Sequence, residues 1–271
     1  MHTAFGDPVG IAERLQTRPF YSPRGGHAQR GPARVARTPG MGWQERVRPA
    51  ELSSKALCLL SRLAGCARSL TLGHPPPLPS HPASCRPYTI DNDPEYAFAD
   101  AELNEKGRGQ ATALQQQTAS LAPELLVVSP MRRATLTGLM AFEEHVTKGA
   151  LPVLAHELCH ERAGRHTCDK RLPKAQLAEL YPAVSYELIN SEDDPYWGDG
   201  VTREPWKDLG VRAGEFAAWL FERPESRVAV AAHSAILLAL FNAVFECDDE
   251  NTSKWFGTGE MRTVLLTQEA A

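Results

Sequence analysis

Two short polar segments, each directly after an apolar stretch, hold residues that can bind an anion. The apolar run "LLVV" at residues 125–128 continues into "SPMRR", which ends at Arg133. The run "RVAVAA" at residues 227–232 continues into His233 and Ser234. An arginine can hold a phosphoryl or carboxyl group through two parallel hydrogen bonds, and a neighbouring histidine can hydrogen-bond the same anion. The segments therefore indicate an anion site. The structural alternatives are a core histidine bonded to backbone and an arginine pair on a solvated helical turn.

The elements around the two segments predict that they meet at one edge of a sheet. Each apolar run has the length and residue types of a buried strand, and a helical pattern follows each. In a parallel sheet the carboxyl ends of the strands open onto a ligand crevice, where the first N–H groups of a helix attract anions. We therefore expect Arg132 or Arg133 to face the same pocket as His233. Two cations at a helix N-terminus oppose its dipole, which favours a binding role for them.

From about Tyr88 onward, predicted strands and helices alternate. A helix is expected after Asn104, whose side chain can cap it. Further strands are expected in "PELLVVSP", "LPVLAHEL", "RVAVAA" and "EMRTVLLTQ", with helical patterns between them. This alternation predicts an α/β fold, a three-layer sandwich with a mainly parallel sheet and helices on both faces. We assign this domain to residues 88–271.

Residues 1–87 have a different composition. Pro, Gly and Arg crowd the segment and break both helical and strand periodicity. Residues 1–90 carry 11 Arg, one Lys and four acidic residues, a balance of +8, against −12 for the rest of the chain. We predict a largely disordered basic segment with one short amphipathic helix near residues 53–70. Its composition is typical of an organelle transit peptide, and equally of a misassembled N-terminus.

The overall composition narrows the classes of partner and compartment. The formal net charge of −4 points to neither a nucleic-acid nor a membrane partner. No apolar run approaches the roughly 18 residues that a membrane helix needs. The six cysteines show no C-x-x-C pair and no zinc spacing, so we expect reduced thiols and no metal or other cofactor. We expect a cytoplasmic protein, or a plastid or mitochondrial one if the N-terminus is a transit peptide.

Four motifs in order carry a resemblance to a known family. They are "LNEKGRGQA", "LLVVSPMRRATLTG", "ELCHERAGRHTCDKR" and "VAVAAHSAILLALF". Together they resemble the histidine phosphatase superfamily, and more narrowly its phosphoglycerate-mutase-like branch from plants, algae and fungi. The resemblance runs from about Asp93 to the C-terminus. It implies a phosphoglycerate-mutase-like fold and a phosphorylated small molecule as the substrate.

The resemblance also implies roles for individual residues. The family's Ser-Pro-Leu-x-Arg-Ala pattern falls on residues 129–134, which makes Arg133 the phosphate clamp, and the threonine that follows in the family falls on Thr137. The family's second active-site histidine falls on His233, and Ser234 follows it with a backbone N–H that can reach the phosphoryl group.

The family's proton donor to the leaving oxygen falls in "ELCHERAGRHTCDKR". Glu161 is the first choice for this general acid, and Glu157 is the fallback. Lys170 and Arg171 are either cations that read the substrate or a solvated pair.

The family's nucleophile is a histidine in an Arg-His-Gly or Arg-His-Ala motif at the end of the first strand. The sequence shows no such motif upstream of "DPEYAFADAELNEKG", and we find no apolar strand in "SHPASCRPYTIDND". His27, His81 and Cys85 are poor substitutes. Because a central strand is expensive to lose, the omission favours a misassembled N-terminus over an inactive relative.

The function implied by the resemblance is phosphomonoester hydrolysis through a phosphohistidine. We expect it to be impaired in this chain, because the nucleophile is missing. A mutase would use the same groups, and the alternative from another class is a non-catalytic pseudophosphatase that binds a phosphorylated ligand.

Overall fold

The computed structural model describes residues 33–37, 52–61, 88–149 and 151–269. They form eight strands and six α-helices, apart from short 3₁₀ turns and a π-helical turn at Leu240–Val244 that extends the last helix. The strands are β1 Ala33–Arg37, β2 Leu52–Ser61, β3 Leu125–Val128, β4 Val153–His156, β5 Ser185–Leu188, β6 Arg227–Ala232, β7 Phe245–Cys247 and β8 Met261–Glu269. The helices are α1 Glu105–Thr118, α2 Arg132–Ala141, α3 Glu143–Thr147, α4 Lys174–Leu180, α5 Trp206–Glu222 and α6 Ser234–Ala239.

The strands form one mixed sheet in the order β5-β4-β3-β6-β2-β8-β1-β7. Five of the neighbouring pairs are parallel, and only the two pairs that involve β8 are antiparallel. One apolar cluster lies between the sheet and α5 and α6, and a second lies between the sheet and α1, α2 and α4. The predicted three-layer α/β fold with a mainly parallel sheet is therefore confirmed.

The centre of the sheet differs from the expectation. We predicted no strand before residue 88 and a helix near residues 53–70, but Leu52–Ser61 forms β2 between β6 and β8. The run "ALCLL" explains the error, because continuous apolar residues suit a strand buried on both faces as well as a short helix. Leu57, Cys58 and Leu59 are all fully buried. Two strands that precede the predicted boundary thus belong to the sheet.

Local sequence signals set the helices that surround the site. The predicted cap is confirmed, because the Asn104 side chain accepts a hydrogen bond of 2.9 Å from the Gly107 backbone N–H. Gly138 lets α2 lie close against the sheet, since a methyl group there would approach the side chains of Val128 and Ala231 within about 3 Å. These contacts hold the start of α2 at the carboxyl end of β3. In the part of the chain that the structure describes, no helix is long and apolar enough to cross a membrane.

Candidate functional site

The two segments singled out in the sequence meet at the carboxyl edge of the sheet. β3 and β6 are parallel neighbours, with Val128 paired to Ala231. Ser129 and His233, just beyond these strands, are fully buried, and Ser129 Oγ lies 2.8 Å from His233 Nε2. This hydrogen bond fixes the imidazole of His233 at the first turn of α6. Sequence reasoning missed Ser129 as its partner, although the serine stands directly after a predicted strand.

Arg133 lies in the first turn of α2, four residues after Ser129, and is 1% exposed. Its Nη1 donates to the Cys168 carbonyl at 2.6 Å and its Nη2 to Asp169 Oδ1 at 2.7 Å. Burial acts to lower the pKa of Arg133, but the negative charge of Asp169 and of other acidic groups nearby, Glu161 among them, holds it above its usual value. The arginine is therefore a permanent cation at this edge of the sheet.

The two arginines of "SPMRR" have different surroundings. Arg132 forms an ion pair with Glu102, while Arg133 pairs with Asp169. Among the residues that the structure describes, the buried Nε atoms of Arg132 and Arg133 both have no hydrogen-bond partner. A buried N–H without a partner costs free energy unless a ligand or water occupies it, so both arginines offer a donor to an anion, and it is the sequence pattern of residues 129–134 that indicates Arg133.

Asp100 joins the start of α2 to the segment around Asp169. Its carboxylate is fully buried and accepts the backbone N–H of Arg132 at 2.8 Å and that of Leu172 at 3.0 Å. Burial raises the pKa of Asp100 to about 6 against the opposing effect of these hydrogen bonds. Asp100 therefore links the start of the helix that carries Arg133 to the segment that carries Asp169. None of the sequence motifs signalled this role.

Asp169 also binds a second arginine from a distant loop. Arg203 Nη1 donates to Asp169 Oδ2 at 2.8 Å and to the Gly164 carbonyl at 2.7 Å. Arg203 lines a cavity of about 630 Å³ together with Tyr196, Trp197 and other residues of 195–215. The Asp169 carboxylate therefore links Arg133, the candidate phosphate clamp, to Arg203 in the wall of this cavity.

Glu161 is buried beside this arginine cluster. Its charge acts on Arg133, and its Oε1 accepts the backbone N–H of Arg162 at 2.9 Å. Its own backbone carbonyl accepts from Arg212 Nη2 at 3.1 Å and lies 2.8 Å from His160 Nδ1. The structure thus places Glu161 within electrostatic reach of Arg133 and fixes its backbone from two sides.

Glu157, the fallback for the general acid, is already paired. Arg171 donates to both of its carboxylate oxygens, at 3.0 and 3.1 Å. These two hydrogen bonds occupy both oxygens of the Glu157 carboxylate, so neither is free to face a substrate. This contact favours Glu161 over Glu157.

Of the pair Lys170 and Arg171, the arginine fits neither predicted role. Arg171 is only 2% exposed, and besides Glu157 it donates to the backbone carbonyls of Leu172 and of residues 191–193. Its guanidinium anchors a loop, and it is neither solvated nor open to a substrate. The ammonium of Lys170 lies 4.3 Å from the ring centre of Tyr96.

The remaining predicted residues support the frame of the site. Thr137 is buried and donates from Oγ1 to the Arg133 carbonyl at 2.7 Å, one helical turn back. Ser234 is the first residue of α6, directly after His233. Among the described residues, no group of three or more His, Cys, Asp or Glu side chains is placed to hold a metal ion.

The end of β2 lies beside His233 in the sheet. β2 is parallel to β6, and the last register pair is Ser61 with Ala232, the residue before His233. The sequence continues from Ser61 into Arg62 and Leu63. His27, His81 and Cys85, the poor substitutes named above, lie outside the described residues.

The geometry defines an α/β protein that brings Ser129 and His233 together at the carboxyl edge of its sheet, with Arg133 in the helix that follows Ser129. The family model "Histidine phosphatase superfamily (branch 1)" matches residues 96–269. The chain therefore belongs to the histidine phosphatase superfamily.

Curated relatives carry phosphoglycerate-mutase-like names. The chain is 30% identical over 171 residues to "Phosphoglycerate mutase-like protein" of Arabidopsis thaliana, covering 53% of this chain and 63% of that protein. It is 27% identical over 221 residues to "Phosphoglycerate mutase-like protein 1" of the same plant, covering 68% and 78%. These matches confirm the predicted resemblance to phosphoglycerate-mutase-like proteins. The chain spans less than two thirds of the length of the first of these relatives.

Two solved structures are similar at lower identity. Mycobacterial glucosyl-3-phosphoglycerate phosphatase is 20% identical with a TM-score of 0.41, covering 78% of this chain and 90% of that one. Phosphoglycerate mutase from Bacillus anthracis is 14% identical with a TM-score of 0.45, covering 80% and 92%.

Proposed function

We propose that this protein binds phosphate monoesters at Ser129, Arg133 and His233, and that the chain as printed hydrolyses them poorly. The observation that carries the binding proposal is Arg133, a buried permanent cation whose Nε has no hydrogen-bond partner within the described ranges. It lies at the same sheet edge as the buried hydrogen bond between Ser129 and His233. A phosphoryl group supplies an acceptor for the Nε of Arg133 and can be held there by charge-assisted hydrogen bonds.

Each residue has a defined part in the proposed chemistry. Arg133 and His233 hold the equatorial oxygens of the phosphoryl group and stabilise the charge that spreads over them in the transition state. Glu161 donates a proton to the leaving oxygen and then acts as the base for water. The cavity lined by Arg203 takes the alcohol part of a small phosphorylated molecule.

The proposed impairment rests on the end of β2. In the family's phosphohistidine chemistry, a second imidazole must stand next to His233 and attack the phosphorus in line. The register pair of Ser61 and Ala232 makes Arg62 the next residue in the sequence, where His233 follows Ala232. The residue that follows the last register pair in the sequence is therefore an arginine, where the family needs its nucleophilic histidine.

The test is a calorimetric titration of the full chain with phenyl phosphate. The release of inorganic phosphate is measured on the same samples. We expect saturable binding by the full chain, with Kd raised at least tenfold by Arg133→Gln or His233→Ala. Arg165→Gln is the matched control, because Arg165 is an exposed arginine that has no part in the proposed site. Absence of binding would refute the proposed site, and wild-type turnover that survives His233→Ala would refute its chemistry.

A non-catalytic role is the second candidate, favoured by the same end of β2. A pseudophosphatase would bind the ester as tightly as an enzyme does and release no phosphate. Binding without release in the titration supports this candidate, and release at a rate that saturates with substrate supports the phosphatase.

We also propose the cytoplasm as the compartment, with import into a plastid or mitochondrion as the alternative outcome. The proposal rests on the cysteines, whose spacing shows no C-x-x-C pair and no zinc pattern and suits reduced thiols. A reporter fused to residues 1–60 separates the two, since import of the reporter would contradict the proposal.

A further inference from the structure

A buried histidine that the proposed chemistry does not use stands directly before Glu161. The side chains of His160 and Asp194 are both fully buried, and His160 Nε2 lies 3.2 Å from Asp194 Oδ2. The other ring nitrogen, Nδ1, lies 2.8 Å from the Glu161 carbonyl. A carboxylate and a carbonyl can only accept hydrogen bonds, so both ring nitrogens must carry hydrogen and the imidazole must be charged.

Asp194 in turn belongs to a loop that is tied down at several points. Its Oδ2 accepts the Arg171 N–H at 2.9 Å, and its Oδ1 accepts the Tyr196 N–H at 2.9 Å. The Tyr196 ring packs against the His160 ring, with ring centres 5.6 Å apart. The His160 side chain therefore connects the loop of residues 190–197 to the backbone of Glu161.

The charged side chains around His160 are equal in number of cations and anions when His160 itself is protonated. Arg212 of α5 faces it from one side and donates to its carbonyl at 2.6 Å, while Glu204 pairs with Arg212. Arg171 pairs with Glu157 next to Asp194. With His160 protonated, three cations face three anions in this buried cluster. Loss of that proton leaves Asp194 as an uncompensated buried charge, which is costly.

We propose that His160, paired with Asp194, is a positioning residue that holds the general acid Glu161 in place. This inference rests on the proposed function, because it assigns a purpose to the position of Glu161. It predicts that Glu161 stays in place only while His160 is charged. The proximity of Asp194 raises the pKa of His160 even though burial and Arg212 oppose this, so the charge persists above the ordinary range.

The amide of Arg162 reports on the position of Glu161. Its N–H donates to Glu161 Oε1 at 2.9 Å, so its NMR signal and its exchange protection follow the carboxylate. We expect both ring nitrogens of His160 to be protonated at neutral pH in the full chain. As pH rises through the pKa of His160, the protection of the Arg162 amide should fall at least tenfold.

Two variants separate positioning from general stability. Asp194→Asn keeps an acceptor and removes the charge, so both the His160 titration and the Arg162 transition should move to lower pH. His160→Gln can still donate to Asp194 but does not titrate, so the Arg162 signal should lose its pH dependence. Glu144→Gln is the control, because it breaks only the exposed pair with Lys148.

A neutral His160 at pH 7 in the wild-type chain would overturn the proposal, and so would an Arg162 transition that persists unchanged in His160→Gln. The wild-type titration decides the matter even where a variant does not fold. None of these readouts needs a phosphate ester. Failure here therefore leaves the proposed function standing, and failure of ester binding leaves these results interpretable.

Discussion

Asp100 offers the sharpest test of how the frame of the site is stabilised. Its pKa rises to about 6 in the folded protein, from an ordinary value of 3.8, because the carboxyl is buried. The folded state therefore binds a proton more tightly than the unfolded state between these values. Asp100 stabilises the fold below the unfolded pKa, and this contribution is lost as pH rises through about 6. The shift corresponds to roughly 3 kcal/mol over the whole window.

Asp100→Asn removes the titration while preserving the shape of the side chain. We expect the free energy of unfolding of the wild type, relative to the variant, to fall by about 2 kcal/mol between about pH 4.5 and about pH 7.5. Urea unfolding at several pH values measures this difference. Asp208→Asn makes the same chemical change at an exposed site of α5 and serves as the control. A wild-type-minus-variant difference that stays constant with pH would show that burial does not perturb Asp100.

Three further predictions concern the loop that follows Glu161, the core and the nucleophile. Gly164 has a φ of +77° and lies against the Thr202 carbonyl, so Gly164→Ala should cost about 2–4 kcal/mol in urea unfolding; Gly109→Ala, which meets nothing within 4 Å, should not destabilise the protein. Burial lowers the pKa of His156 to about 4, so the wild type should lose about 2 kcal/mol relative to His156→Asn between about pH 7 and pH 5; an equal pH dependence of both proteins would contradict this. The triple variant Ser61→Arg, Arg62→His, Leu63→Gly supplies the family's motif at the end of β2. It should raise phosphate release at least 100-fold, a gain of roughly 3 kcal/mol in the barrier, and adding His233→Ala should abolish the gain.

The parts of the fold that the sequence predicted have strong local signals. Asn104 caps a helix through its own side chain, and the strands before Ser129 and His233 are short apolar runs with clear ends. Because parallel strands open at one edge, the meeting of the two strand ends followed from strand direction alone, whereas the hydrogen bond between Ser129 and His233 did not. The choice of Arg133 over Arg132 needed the family pattern, because both arginines are buried and ion-paired.

The parts that could not be predicted depend on contacts between distant segments. β2 is a strand because β6 and β8 flank it, while its apolar run suited a short helix equally well. Asp100 meets Leu172 across 72 residues, and Arg203 meets Asp169 across 34. An arginine such as Arg171 is usually found on the surface. Only the backbone carbonyls that accept its hydrogen bonds show that it is an internal anchor.

The most direct test of the account is an NMR titration of the His233 imidazole with inorganic phosphate. The account predicts that the ring-nitrogen signals of His233 shift saturably with phosphate, and that Arg133→Gln weakens this response at least tenfold while Arg165→Gln does not. His233 signals that stay unchanged at saturating phosphate, in a chain that remains folded, would contradict the assignment of this sheet edge as the phosphate site.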